Sequence, residues 1–230
     1  MRGRFLNTCF GHAFAQPELL QQALTHRSAA SRHNERLEFL GDAILGMLVA
    51  EALYQQDAGA SEGELTRLRS FLVREETLAE IAREQNLGDI LTLGPGELKS
   101  ADWRRDSILA DAVEAVLAAV YLDAGLDAAR AALRVIYADR WARLPDAQTL
   151  KDAKTRLQEW TQSRPDWPLP VYALVGESGP PHRQLFTVSG QLTPPDAAAH
   201  TIIARGRSRR RAEQDTARQL LSWARENYGP

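Results

Sequence analysis

The sequence predicts a mainly α chain of two domains, a large all-helical one followed by a small one of order α-β-β-β-α. From Pro17 to about Tyr137 apolar residues recur three and four apart with few β-branched runs, the mark of helices that bury one face. That pattern breaks at Leu144-Pro145-Asp146-Ala147-Gln148, beyond which short β-like runs alternate with turn residues. The charge changes at the same place. Residues 1–146 carry 16 Lys/Arg against 22 Asp/Glu, a balance of −6, while residues 147–230 carry 12 against 8, a balance of +4. The expected domains are 1–146 and 150–228, the first suited to cations and the second to a polyanion.

Composition sets the class. With 230 residues, 44% hydrophobic and 25% charged, the chain reads as globular, and no apolar run approaches the ~18 to 20 residues of a membrane span. The N-terminal Met1-Arg2-Gly3-Arg4-Phe5 lacks the features of a secretory signal. A cytoplasmic protein with no membrane partner is expected, and the lone Cys9 fits a reducing compartment.

In chain order, Pro17 suits the first position of a helix through Thr25, and Asn34 is placed to cap a second helix running to about Gln56. Asp57-Ala58-Gly59 ends it. Ser61 and Glu64 form a Ser-x-x-Glu capping box for a helix expected to continue through Phe71 and Ile81 to Asn86-Leu87-Gly88. A Gly-Pro-Gly turn follows at 94–96, then a polar stretch from Lys99 to Asp106. A strongly apolar helix covers Ser107 to Asp123, and Gly125 separates it from a last helix ending near Trp141. The second domain has a helix over Lys151 to Ser163, strands at Val171–Val175, Leu185–Val188 and His200–Ala204, and a closing helix from about Ser208 to Asn227.

Chemistry concentrates in Asn34-Glu35-Arg36-Leu37-Glu38-Phe39-Leu40-Gly41-Asp42. At ~100° per residue, Glu35, Glu38 and Asp42 share one helix face, while Leu37, Leu40 and Ile44 form an apolar stripe on another. Like charges at helical neighbour spacing repel, so a cation is expected among them. A second acidic pair, Asp111 and Glu114, lies at i and i+3 in the apolar helix. An isolated pair of this kind is ordinarily solvated surface, but acids in an apolar helix must face a cleft, pair with cations or bind metal. If the two helices pack face to face, the carboxylates supply hard oxygen ligands for Mg²⁺ or Mn²⁺. Such clusters serve phosphodiester hydrolysis. A di-iron carboxylate bundle is a rival, but neither helix has the Glu-x-x-His pair it ordinarily uses.

Residues 34–42 resemble the signature motif of the ribonuclease III family of double-strand-specific RNA endonucleases. Leu20-Gln21-Gln22-Ala23-Leu24-Thr25-His26-Arg27-Ser28, Leu93-Gly94-Pro95-Gly96-Glu97-Leu98-Lys99-Ser100 and Ser107-Ile108-Leu109-Ala110-Asp111 are similar to further segments of its bacterial members. The resemblance implies a dimeric, all-helical endonuclease domain that uses Mg²⁺, with Mn²⁺ as a substitute. It implies products with 5′-phosphate and 3′-hydroxyl ends and two-nucleotide 3′ overhangs, and precursors of ribosomal and messenger RNA as substrates. By position, Glu38, Asp42, Asp111 and Glu114 match the metal-site acids, and Glu35 and Glu62 match two further acids of the processing centre. Phe39 is implied to insert into the partner subunit, although a Phe at helical spacing ordinarily lies in its own core. Arg104 and Arg105 could neutralise phosphates, but surface arginines need no such role.

Asp152 to Trp160 and Gly206 to Gln214 resemble the first and last helices of a double-stranded RNA-binding domain. A helix N-terminus bearing adjacent arginines offers amides, dipole and guanidinium groups to phosphate, and polar side chains on another helix reach 2′-hydroxyls. The resemblance assigns RNA contacts to Thr155, Gln158, Glu159, His182, Ser208, Arg209 and Arg210. In this chain Asp215-Thr216 stands where small apolar residues are common, and the loop at 194–199 is long. The alternative is a noncatalytic duplex-RNA-binding protein whose helical domain only dimerises.

Overall fold

The computed structural model of the chain describes residues 10–100, 105–180 and 183–229. It divides into two compact units, Met1–Leu150 and Lys151–Pro230.

The first unit is helical. Helix α1 (Pro17–Ala23) starts on its proline, and α2 (Glu35–Gln56) carries the signature acids. Asn34 precedes α2 in an αR conformation without capping it through its side chain, contrary to expectation. Its backbone N–H donates to the Thr25 carbonyl (2.9 Å) and the residue is buried. The capping box of Ser61 and Glu64 opens α3 (Glu62–Leu72) as expected.

The single helix expected through Ile81 is two, because α3 ends at Leu72 and α4 runs Glu75–Glu84. Side chains capture the α3 carbonyls that a continuous helix would have bonded. Thr77 Oγ1 donates to Phe71 O (2.8 Å) and buried Tyr137 Oη to Leu72 O (3.0 Å). A 3-10 turn at Leu87–Ile90 follows, and the Gly-Pro-Gly segment opens α5 (Pro95–Ser100) on Pro95, where a bare turn was expected.

Helix α6 (Asp106–Ile136) is the spine, packed against α1, α2 and α4. Between Ile108 and Val120 every residue except Asp111 and Glu114 is buried, a segment apolar almost all round. Gly125 breaks it with φ 80°. Just before the break, Asp123 accepts from Ala15 N (2.9 Å), Gln16 N (2.7 Å) and pairs with His12 Nε2 (2.8 Å), tying the approach to α1 onto α6. After the short α7 (Ala138–Trp141), the 144–148 segment returns to this unit: Arg67 Nε donates to Ala147 O (3.0 Å) and Gln148 Nε2 to Glu64 (3.0 Å).

In the second unit, α8 (Ala153–Gln162) is capped by Asp152, which accepts from Thr155 N (2.8 Å). Strands β1 (Val171–Ser178), β2 (Leu185–Leu192) and β3 (His200–Gly206) form an antiparallel sheet with β2 central, each longer than its sequence pattern suggested because ladder pairing carries polar positions along. Helix α9 (Arg209–Tyr228) closes the unit over a core of Leu157, Trp160, Leu192, Leu220 and Leu221. The departure at 216 is absorbed. Thr216 is buried, its hydroxyl donates to Ala212 O (2.9 Å), and Gly190 opposite leaves room, since a Cβ there would fall 2.4 Å from Thr216 Cγ2.

Candidate active site and nucleic-acid interface

The two acidic helices meet backbone to backbone. A Cβ at Gly41 would lie 2.0 Å from the Glu114 carbonyl oxygen, so only glycine permits this approach of α2 to α6. The contact sets Glu38 and Asp42 on one wall and Asp111 and Glu114 on the other.

Their electrostatics are those of a crowded anionic cleft. Burial, followed by the charges of Asp42, Asp111 and Glu38, pushes Glu114 up to about 8. Burial, then Glu38 and Glu75, raises Asp111 to about 6, and burial with Glu35 raises Glu38. Among the described residues no three His, Cys, Asp or Glu side chains are closed into a ready-made ligand cluster.

A cleft of about 380 Å³ adjoins this wall, its lining including His26, Arg27, Asn34, Glu35, Glu38, Glu97, Arg105 and Asp111. Glu35 is joined by Arg27 Nη1 (3.1 Å), the cation that offsets repulsion at both Glu38 and Asp111. The loop before α2 is clamped by Thr92, whose carbonyl accepts His26 N (3.0 Å) and whose N–H donates to Leu24 O (2.8 Å).

The expected site residues fall as follows. Glu35, Glu38 and Asp111 line the cleft, and Asp42 and Glu114 adjoin them through their charges. Glu62 is exposed on the first turn of α3, outside the residues lining the cleft. Phe39 is 82% exposed, so within one chain it is no part of the core. Arg105 lines the cleft, whereas Arg104 lies outside the described residues.

Sequence reasoning missed Gly41, Arg27 and Glu97. A glycine inside a helix, which costs ~1 kcal/mol relative to alanine, was the available signal for the first. Arg27 and Glu97 stood in the segments that carry the family resemblance, with nothing in their spacing to place them beside the acids.

In the second unit Gln214 Oε1 accepts from Ala153 N (2.7 Å) and Lys154 N (3.3 Å), docking the start of α8 onto α9. Ser208 caps α9 by accepting from Arg211 N (3.2 Å). Thr155, Gln158, Ser208, Arg209 and Arg210 are all exposed. Arg209 Nε is paired with Glu213 (2.9 Å), and Glu159 is held through both oxygens by Lys151 (2.7 Å each). His182 lies outside the described residues.

Residues 16–140 match the family described as ribonuclease-III-like, and residues 153–223 match the double-stranded RNA binding motif. Among curated relatives, ribonuclease 3 of Xanthomonas oryzae pv. oryzae is 57% identical, with 92% of each chain covered, and that of Xylella fastidiosa M23 is 54% identical, covering 92% of this chain and 91% of its own. The nuclease domain of ribonuclease III from Campylobacter jejuni is similar in structure, with TM-score 0.57 and 41% identity over 59% of this chain and 94% of its own. Among the described residues no helix is long and apolar enough to cross a membrane. With both domains matched over most of their length and relatives above half identical across nearly the whole chain, the chain belongs to the ribonuclease III family of double-strand-specific endoribonucleases.

Proposed function

We propose that Glu38, Asp42, Asp111 and Glu114 hold Mg²⁺, with Mn²⁺ as a substitute, and that the chain uses it to cut both strands of duplex RNA. The observation that carries this reading is the Gly41 contact with Glu114, which apposes the two acidic helices. The donor set fits a hard divalent cation, being carboxylate oxygens throughout. The raised proton affinities of Asp111 and Glu114 fit it too, because a cation relieves the crowding that causes them.

When bound, such a cation supplies an activated water for in-line attack on phosphorus and positive charge beside the departing 3′ oxygen. The residues do the rest. Asp111 and Glu114, the latter giving up its proton, would hold the cation from one wall and Glu38 and Asp42 from the other, while Arg27 steadies Glu35 at the rim. Glu35 and Glu62 are further acids of the processing centre. Hydrolysis at this centre leaves 5′-phosphate and 3′-hydroxyl ends.

Two strands require two clefts. The C. jejuni nuclease domain is described with a region involved in dimer formation, and here exposed Phe39 on the helix of Glu38 and Asp42 offers an apolar anchor for a second copy. A homodimer with one cleft per strand yields the staggered cut with two-nucleotide 3′ overhangs. Domain 150–228 holds the duplex through Thr155, Gln158, Glu159, His182, Ser208, Arg209 and Arg210, and domain 1–146 cuts it. Precursors of ribosomal and messenger RNA in the bacterial cytoplasm are the substrates this reading assigns.

Glu114→Gln tests the metal site. It should abolish Mg²⁺-dependent cleavage while leaving duplex affinity within about twofold; a variant that still cuts overturns the ligand set.

A further inference from the structure

His26 stands in the cleft among acids, and its hydrogen bonds determine its chemistry. The Ser28 backbone N–H donates to His26 Nδ1 (3.3 Å), so this nitrogen is an acceptor and carries no proton. With Nδ1 unprotonated, the Ser28 hydroxyl 2.8 Å away is the donor of that pair, and its Oγ in turn accepts from Gly94 N (2.9 Å). Two donors therefore converge on Nδ1, and the proton of the neutral ring resides on Nε2. Burial acts in the same direction, lowering the pKa of His26 below its ordinary value despite the opposing charge of Glu97.

The relay is anchored at both ends. Gly94 has no room for a side chain, since a Cβ there would lie 2.2 Å from Ser28 O, and His26 N is bonded to Thr92 O (3.0 Å). The imidazole is thus oriented by the backbone of two segments, as a ring must be if it is to present one nitrogen in a set direction.

We infer that His26 is a substrate-positioning residue, a fixed Nε2–H donor to an accepting oxygen of the RNA backbone beside the scissile bond, and not the general base of the reaction. A ring whose Nδ1 already accepts is a poor proton shuttle, because protonation there turns the Ser28 N–H away and requires the Ser28 hydroxyl to reverse. As a neutral donor it adds direction to a cleft whose other groups are mostly charged. The accepting oxygen belongs either to a 2′-hydroxyl or to a phosphate.

The inference rests on the cleft being the cleavage centre, so each experiment includes wild-type protein on unmodified duplex; failure there overturns that reading and this one with it, whereas the outcomes below overturn this one alone. The test compares wild type, His26→Gln and His26→Phe in single-turnover cleavage of a perfect RNA duplex, and of duplexes with a single 2′-deoxy or methylphosphonate substitution next to the scissile bond. Removing one neutral hydrogen bond predicts a loss of about tenfold for His26→Phe. His26→Gln, whose amide nitrogen falls near the Nε2 position, should recover most of it. On the duplex lacking the accepting oxygen the three proteins should cut equally, the 2′-deoxy or the methylphosphonate arm identifying which oxygen it is. The pH dependence of the rate should be the same for wild type and His26→Gln. A His26→Phe loss that is equal on every duplex overturns the inference, as does loss of an ionisation from the pH profile of His26→Gln.

Discussion

Gly41 and Glu114 meet at a distance that excludes a side chain, a Cβ on the former falling 2.0 Å from the carbonyl oxygen of the latter and 2.4 Å from its carbonyl carbon. These are backbone atoms of two packed helices, so neither can turn aside. Gly41→Ala should push α2 off α6 and separate the facing carboxylates. A displacement near 1 Å in such a site costs on the order of 100-fold in rate. Cleavage should fall at least that far while the second unit still binds duplex RNA, as read by gel cleavage and filter binding; full activity contradicts the apposition.

The proton affinities of Asp111 and Glu114 set a pH dependence of stability. Their ordinary values are 3.8 and 4.5, and the folded, metal-free site raises them to about 6 and about 8. Between these limits the folded chain retains protons that the unfolded chain has released. Stability is therefore full at low pH and declines as pH rises through 6 and then 8. Melting temperature measured without divalent cations should drop across that window, Mg²⁺ should restore it, and Glu114→Gln should flatten its upper part. A melting temperature that rises over the same range contradicts the clustering of these acids.

Phe39 exposes 82% of its surface on the helix that carries Glu38 and Asp42. An anchor of this size at the centre of an interface is worth ~2 kcal/mol or more on truncation. Phe39→Ala should shift sedimentation toward monomer, with a dimer dissociation constant raised roughly 30-fold or more by the same energy. An unchanged sedimentation profile removes Phe39 from the interface.

Arg210 is exposed on the first turn of α9, behind the Ser208 cap. Arg210→Ala should weaken binding of all duplex RNA sequences alike and reduce the slope of log affinity against log salt by about 1, as expected for one lost phosphate contact. Discrimination among sequences that changes with the slope intact argues against a phosphate contact.

Features set by local chemistry were legible in the sequence. The Ser61 and Glu64 box and the proline opening α1 both read correctly because they depend on residues within one helical turn. The face shared by Glu35, Glu38 and Asp42 followed from periodicity alone. What the sequence did not disclose depends on groups distant along the chain. The break between α3 and α4 comes partly from Tyr137, 65 positions beyond the carbonyl it satisfies, and the Ser28 hydroxyl that meets the His26 ring is itself held by Gly94. Asn34 was expected to cap and is buried instead, because Thr25 takes its backbone N–H.

The central claim is that two copies of one acidic, cation-dependent cleft cut the two strands of an RNA duplex. Incubating the protein with a perfect RNA duplex, with and without Mg²⁺, and mapping both product ends tests it most directly. The account predicts cleavage only with the cation, 5′-phosphates, 3′-hydroxyls and two-nucleotide 3′ overhangs; intact duplex in Mg²⁺, cutting in its absence, or blunt ends would contradict it.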